Sequence, residues 1–514
     1  MGKLKKVFPV AVLVVLCGLI FFSRLHTYDE PLDRDLTTYA VIAHEMLSGK
    51  ALYSDLWDHK PPAIHVTYAA AELIAGYGRD SIFLMNITAA VATLLACYWA
   101  GSAAGGGRTG GCFAAAFWAL ASGNLAIEGN QPNTEVFLNA CLATAFAILV
   151  RKRNLGTWAA VLVGLLFAAA SLYKQVVLVQ AALLLGAYCL CCESTSRKRA
   201  IIDAMIIAAI GAAMWGLVFA YFFMRGSGPA FTEAVFTYNN YYAKSGWNYT
   251  VSNFQGWPTV SHDVLAIALS MMVLVIAGLV HGLTFGPRRH WTLLLAFLAS
   301  TGIAVLLPGW FYWHYHQLWL PPLAIGSGWA IALFRRLLPT TLSALSYSVG
   351  GVACAVVVMA QVPDYLAPAE AWSYNKYGII FLGTDQFAYR LNRLLPPGAT
   401  FYEWGSETEL YFSSQRRPAS GILFAYPMLS GPLMDKLSQR LISDLEKSRP
   451  DLIIVGKNTL AETNPGHPVI HWFKENYRPF SETDLFILLA RKGGTLEAAS
   501  TSHSTWRASS STSF

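Results

Sequence analysis

From residue 7 to residue 360 the chain alternates long apolar runs with short polar connections that often carry Lys or Arg. The runs cover 7–22, 82–104, 111–127, 135–150, 155–173, 176–192, 201–224, 264–285, 291–307, 318–334 and 344–360. A helix needs about 20 apolar residues to cross a bilayer core, with about 17 to 25 tolerated, so this pattern predicts about eleven spans. Near Gln361 the pattern changes. "ATFYEW" and "DLIIVG" read as short buried strands, "MDKLSQRLISDLEK" has helical spacing between them, and "DLFILLARK" closes with another strand. A strand, helix, strand succession favours a small mixed or parallel sheet. The tail "GGTLEAASTSHSTWRASSSTSF" is rich in Ser and Thr and predicts disorder. The expected architecture is a polytopic α-helical membrane domain over 1–360, a small soluble α/β domain over 361–492 and a disordered tail over 493–514.

Composition agrees with this. Of the 514 residues 55% are hydrophobic and only 13% charged, against about 25% charged in soluble domains. The net charge of +7 does not point to nucleic acid, because Lys and Arg cluster between the apolar runs, where they act as topology signals. No small-residue cleavage site follows "CGLIFFSRLH", so the first run is expected to be an anchor with a cytoplasmic N-terminus. Segment 61–78 is long enough to span but carries His65, Glu72 and two prolines at its start. If it does not span, Arg108 and the basic clusters at 151–153, 197–199, 288–289 and 335–336 all fall on the cytoplasmic side; if it does, every one of them flips outward. It is therefore read as an interfacial or re-entrant helix, which makes 23–80 one exoplasmic loop and puts the C-terminal domain outside. Seven of the eight cysteines precede residue 200, with neither a disulfide frame nor metal spacing, and are read as small buried hydrophobes.

The first loop is the unusual part, with seven acidic residues between Tyr28 and Ala70. In "DLTTYAVIAHEML" the positions Leu36, Tyr39, Ala40, Ala43, Met46 and Leu47 follow a three/four spacing, which predicts a helix lying on the membrane with one apolar face. Asp35 at its start is either an N-cap or a functional carboxylate. Asp58, His59 and Lys60 precede two prolines that fix the entry into a second interfacial helix. Two carboxylates and an ammonium are thus expected near the outer headgroups, where a lipid with a charged head could be acted on.

The spacing of Asp35, Tyr39, Ala40, Glu45, Met46 and Leu47, followed by Asp58, Lys60, Pro61 and Pro62, resembles a known pattern. It is the D-E-x-x-Y-A, E-M-L, (E/D)-K-P-P pattern of glycosyltransferase family 39 and the ArnT-like members of the GT-C membrane glycosyltransferases. "NQPNTEVF" (130–137), "SLYKQ" (171–175) and "GWFYWHYHQLWLPPLA" (309–324) are similar too, so the resemblance covers most of residues 1–335. The chain departs from the pattern in Leu36, where a second acid often stands, and in the extra His59. The resemblance implies a GT-C fold and an inverting transfer of sugar from a polyprenyl-phosphate donor at a periplasmic active site. It implies Asp35 as the base for the acceptor hydroxyl and Asp58 as a group orienting acceptor or sugar. Lys60 and Lys174 would neutralise the lipid phosphate, with Arg225 a further candidate. Tyr39, His59, Asn133, Glu135, His314 and Tyr315 are assigned to the substrate pocket. Structural alternatives stand beside these roles: snorkelling for Lys174, a helix cap for Asn133 and a buried acid for Glu135, and an aromatic belt for His314 and Tyr315. The stretch 226–263, with "FTYNNYYAKSGWNYT", is expected to be a loop that stacks on a sugar or acts as a lid.

No cofactor is required, because two lysines can carry the phosphate charge; a divalent ion shared by Asp35 and Asp58 stays open. The expected partners are a polyprenyl-phosphate-linked sugar, a lipid, glycan or protein acceptor, and membrane lipids, with no nucleic acid. The expected location is a bacterial inner (plasma) membrane. A multispan transporter or flippase of a lipid-linked sugar is the alternative, against which the charges gather in one outer loop and no paired Gly/Pro-broken helices mark a midplane site. A non-catalytic assembly subunit is the third class.

Overall fold

The computed structural model describes residues 2–192 and 194–497, so positions 498–514 of the tail expected to be disordered lie outside the described residues. The first helices, in chain order, are α1 (Gly2–His26), α2 (Arg34–Leu47), α3 (Ala63–Ala75), α4 (Arg79–Gly101), α5 (Gly107–Ala121), α6 (Thr134–Arg151), α7 (Thr157–Tyr173), α8 (Val177–Leu190) and α9 (Ser194–Met224). Among the described residues eight helices are long and apolar enough to cross a membrane, and the chain is a multi-pass membrane protein. The other three apolar runs form shorter helices: α5 has 15 residues, α7 has 17 and α8 has 14.

The contacts divide the chain into two units. The first comprises 1–29, 60–226 and 242–372. Its helices pack through small residues where no side chain would fit. A Cβ at Gly110 would stand 2.5 Å from the Gly101 carbonyl oxygen, and one at Gly328 only 2.3 Å from that of Gly110, so α4, α5 and the helix Leu320–Leu337 meet backbone to backbone. This is the small-residue packing that replaces hydrophobic drive inside lipid. The Trp329 indole adds a hydrogen bond to the Ala100 carbonyl at 3.0 Å.

The run expected to continue as helix to residue 127 stops at Ala121. Ser122 and Gly123 break it, and residues 122–133 form a buried connection in which Glu128 takes φ +55°. Buried backbone carbonyls need donors, and side chains supply them from afar. Arg24 Nη2 donates to the carbonyls of Ser122 (2.7 Å) and Gly129 (3.2 Å), and Gln317 Nε2 to those of Ile127 (2.9 Å) and Glu128 (3.1 Å). Asn86 serves Asn130 (2.6 Å) and the Tyr68 hydroxyl serves Pro132 (3.0 Å).

The second unit comprises 30–59, 227–241 and the chain from Ser373. Its sheet has the order β1 (Phe401–Trp404), β2 (Leu452–Gly456), β4 (Phe486–Arg491), β3 (Tyr477–Glu482). Strands β1 and β2 are parallel and fully buried, and β4 runs antiparallel to both β2 and β3. The expected strands and the helix Met434–Ser448 lie where the spacing placed them. β3 escaped notice because Pro479 and several exposed positions hide an edge strand.

Three expectations change. The helix taken to end at 360 runs to Leu366, and the contact boundary falls after Trp372 rather than at 361. The α/β body also takes in 30–59 from the first loop and 227–241, because α2 packs its apolar face on the helix Glu409–Ser414. The stretch 226–263 is helical almost throughout, with one helix, Thr250–Phe285, starting well before residue 264. Its Tyr, Asn and Trp content marks polarity, which does not forbid a helix.

Candidate active site

In the second unit α2 begins with Asp33 as its N-cap: φ −63° and ψ 153° are extended, and Oδ1 accepts the Asp35 amide at 2.5 Å. The cap reading considered for Asp35 therefore passes to Asp33. Asp35 sits in the first helical turn, partly exposed, where the Tyr39 hydroxyl lies 3.4 Å from its Oδ2. Gly49, at φ +99°, supplies the left-handed position that ends the helix after Ser48. Just before that end Glu45 is fully buried and accepts from Arg417 Nε (2.8 Å) and Nη2 (2.7 Å), with Lys50 Nζ at 2.7 Å. Burial pushes the Glu45 carboxyl up, but the bonds from Arg417 and Lys50 together outweigh it and hold the group below the usual carboxylate range.

Residues 51–59 are held by the same body. Arg440 donates to the carbonyls of Tyr53 (3.3 Å) and Asp55, and the Trp57 amide to Gly421 (2.9 Å). Asp58 is buried, and its Oδ1 accepts the His59 amide at 2.6 Å and stands 3.3 Å from His59 Nδ1. That nitrogen shares a 3.0 Å hydrogen bond with the Tyr426 hydroxyl, while the His59 carbonyl accepts from Asn239 at 2.7 Å. The rings of Trp57, Tyr238 and Tyr426 surround the imidazole.

In the first unit Asn133 caps α6, its Oδ1 accepting the Thr134 amide at 2.7 Å. This is the structural role weighed for it. Glu135, in the first turn and fully buried, receives Lys174 Nζ on Oε1 at 2.6 Å and the Thr134 hydroxyl on Oε2 at 2.8 Å. The same ammonium stands 3.4 Å from the centre of the Tyr315 ring, a cation–π contact. His314 packs edge-on to Tyr315 at 4.8 Å, with Nδ1 3.3 Å from Glu128 Oε2. Lys60 and His314 also act electrostatically on Glu135. The structure thus gathers Lys60, Glu135, Lys174, His314 and Tyr315, and adds Glu128. Arg225 is exposed, and its guanidinium lies 5.8 Å from the Tyr221 ring.

At the carboxyl end of β1, Glu403 is fully buried, and its Oε2 accepts the Glu407 amide at 3.3 Å. Burial, then the charge of Glu407, push the Glu403 carboxyl well above the usual range. Burial raises Glu407 too, against the pull of Arg34, whose Nη2 is 3.2 Å from Glu407 Oε1. Among the described residues no group of three or more His, Cys, Asp or Glu is placed to hold a metal ion, and no described contact joins Asp35 to Asp58.

Sequence reasoning missed Glu128, Glu407, Thr408, Arg417 and Tyr426. Glu128 had a signal, an acid placed directly after the apolar run 111–127. The others lie hundreds of residues from the first-loop groups they touch, and only the folded chain joins them.

This is the fold of the GT-C membrane glycosyltransferases. Crystalline ArnT from Cupriavidus metallidurans bound to undecaprenyl phosphate is similar over 95% of this chain and 98% of its own, with a TM-score of 0.58 and 14% identity. The archaeal oligosaccharyltransferase AglB from Archaeoglobus fulgidus, in complex with an inhibitory peptide and a dolichol-phosphate, is similar over 94% of this chain and 74% of its own, at TM-score 0.56 and 13% identity. The apo form of the same ArnT gives 0.56 and 15% over 95% and 98%. By sequence, no family model and no curated protein matches.

Proposed function

We propose that the chain is an integral-membrane inverting glycosyltransferase that moves a sugar from a polyprenyl-phosphate donor to a lipid, glycan or protein acceptor on the periplasmic face of the inner membrane. The reading includes eleven spans, a cytoplasmic N-terminus and an exoplasmic α/β unit. The observation that carries it is the placing of Asp35 in a chain with this fold: Asp33 caps α2, and the Asp35 carboxylate stands partly exposed in the first helical turn. Asp35 takes the proton of the acceptor hydroxyl as that oxygen attacks the anomeric carbon. The bond from that carbon to the phosphate oxygen breaks, and the polyprenyl phosphate leaves with the electron pair, its charge met by Lys60 and Lys174. Asp58 orients the acceptor or the sugar. Lys174 already has Glu135 as a partner, so it meets the phosphate as one member of a charged cluster. No step requires a metal; a divalent ion held by Asp35 and Asp58 is the variant that chelation tests.

Mass spectrometry of envelope glycolipids and glycoproteins from cells with the wild-type chain, without it, and with Asp35→Asn tests the reading. The missing sugar names donor and acceptor. Asp35→Asn should behave like the deletion, with transfer down at least about a hundredfold and the protein folded. A flippase of lipid-linked sugar would keep working in Asp35→Asn, and a fully active Asp35→Asn chain would remove Asp35 from the catalytic role.

A further inference from the structure

We propose that Thr408 and Glu407, in the turn between β1 and the helix Glu409–Ser414, are positioning residues for Asp35. The inference rests on Asp35 being the base. Thr408 Oγ1 donates to the Arg34 carbonyl at 2.9 Å and stands 2.7 Å from Thr37 Oγ1 and 3.0 Å from Thr38 Oγ1. Glu407 Oε1 is 3.2 Å from Arg34 Nη2. These contacts fall on residues 34, 37 and 38, which bracket Asp35 along one helical turn.

Three buried hydroxyls meeting at one backbone carbonyl are not what packing alone demands. Thr37, Thr38 and Thr408 are all buried, and an aliphatic trio would fill the same space without the cost of dehydrating hydroxyls. A satisfied polar network adds direction, because it is met in one rotation and one height of the helix, whereas apolar faces slide. The turn is itself anchored, since the Glu407 amide bonds Glu403 at the end of the buried strand β1. The sheet therefore sets where the first turn of α2 stands, and with it the Asp35 carboxylate. For a base this matters, as a displacement of about 1 Å can cost about a hundredfold in rate.

Thr408→Val keeps shape and removes the hydroxyl. In the full-length protein in detergent, hydrogen–deuterium exchange over 36–47 should quicken about fivefold, the loss of one hydrogen bond of about 1 kcal/mol, while β1, β2 and β4 keep wild-type exchange. With the donor identified from the envelope analysis, kcat should fall at least about tenfold with KM for the donor unchanged, and Thr408→Ser should restore both. Unchanged exchange in α2, or lost transfer that Thr408→Ser does not recover, overturns the proposal. If Thr408→Val fails to fold, Glu407→Gln takes its place, with faster exchange over 36–47 expected and unchanged exchange there overturning the proposal. Should the wild-type chain transfer no sugar at all, the Asp35 reading fails, and the exchange measurement alone decides whether the turn orders α2.

Discussion

Lys174 and Glu135 form a buried ion pair, with Nζ 2.6 Å from Oε1 and side-chain exposures of 15% and 0%. Removing either partner strands the other charge, at about 3 to 5 kcal/mol. Lys174→Met and Glu135→Gln should each lower unfolding stability in detergent by that order, and the double variant should recover much of the loss. Additive single effects in the double-mutant cycle would contradict the pairing.

Asp33 and Asp35 should separate stability from chemistry. Asp33→Ala removes the cap of α2 and should cost about 1 kcal/mol, measured as a lower midpoint of thermal unfolding. Asp35→Asn should leave that midpoint near wild type while transfer disappears. The opposite pattern would make Asp35 the structural residue.

Glu45 gives a pH dependence of known sign. Its folded pKa is depressed, so its contribution to stability is present above the unfolded carboxylate pKa and is lost as pH falls through the folded value. Arg417→Met should remove about 2 kcal/mol at neutral pH, a figure kept low because the Arg417 side chain is 56% exposed. The variant and the wild type should converge in acid. A difference that persists at the acid end would refute the linkage.

Glu403 has the reverse sign. Its folded pKa is raised, so stability declines as pH rises from the unfolded carboxylate pKa towards the folded one. Glu403→Gln mimics the protonated acid and should unfold at a higher temperature than wild type from neutral pH upward, with no gain in acid. A destabilised Glu403→Gln at alkaline pH would count against a protonated Glu403.

Chelation addresses the metal. Transfer by purified wild-type protein should persist in excess EDTA; loss of transfer restored by magnesium or manganese would instead place a divalent ion with Asp35 and Asp58.

Much of the fold could be read from the chain because lipid imposes long apolar runs; helix ends departed from them where Ser122 and Gly123 interrupted a run that hydropathy carried through, and where the helices Thr250–Phe285 and Leu345–Leu366 extend past the apolar stretch. The first-loop groups were legible by their chemistry, since carboxylates beside DHKPP are out of place in so apolar a chain. Their local roles were not, because Asp33 and Asp35 are equally good caps on paper, and only the backbone angles assign the cap to Asp33. The supports were invisible for another reason. Thr408 and Arg417 meet α2 across more than 370 residues of sequence, as with Thr408 and Thr37 (371) or Arg417 and Glu45 (372), and no periodicity encodes such pairings.

The carbonyls of Ile127 and Glu128 take their donor from Gln317, which follows Ile127 by 190 residues. Ribosomes add about 5 to 20 residues per second, so those two oxygens wait roughly 10 to 40 s after synthesis for their native partner. During that interval the connection between α5 and α6 needs water or an insertion factor as a substitute. Biogenesis of this protein is thus a matter of timing, and a nascent chain arrested before codon 317 should stay accessible at residues 127–128, while the carbonyls served by Arg24, Asn86 and Tyr68 already have their donors.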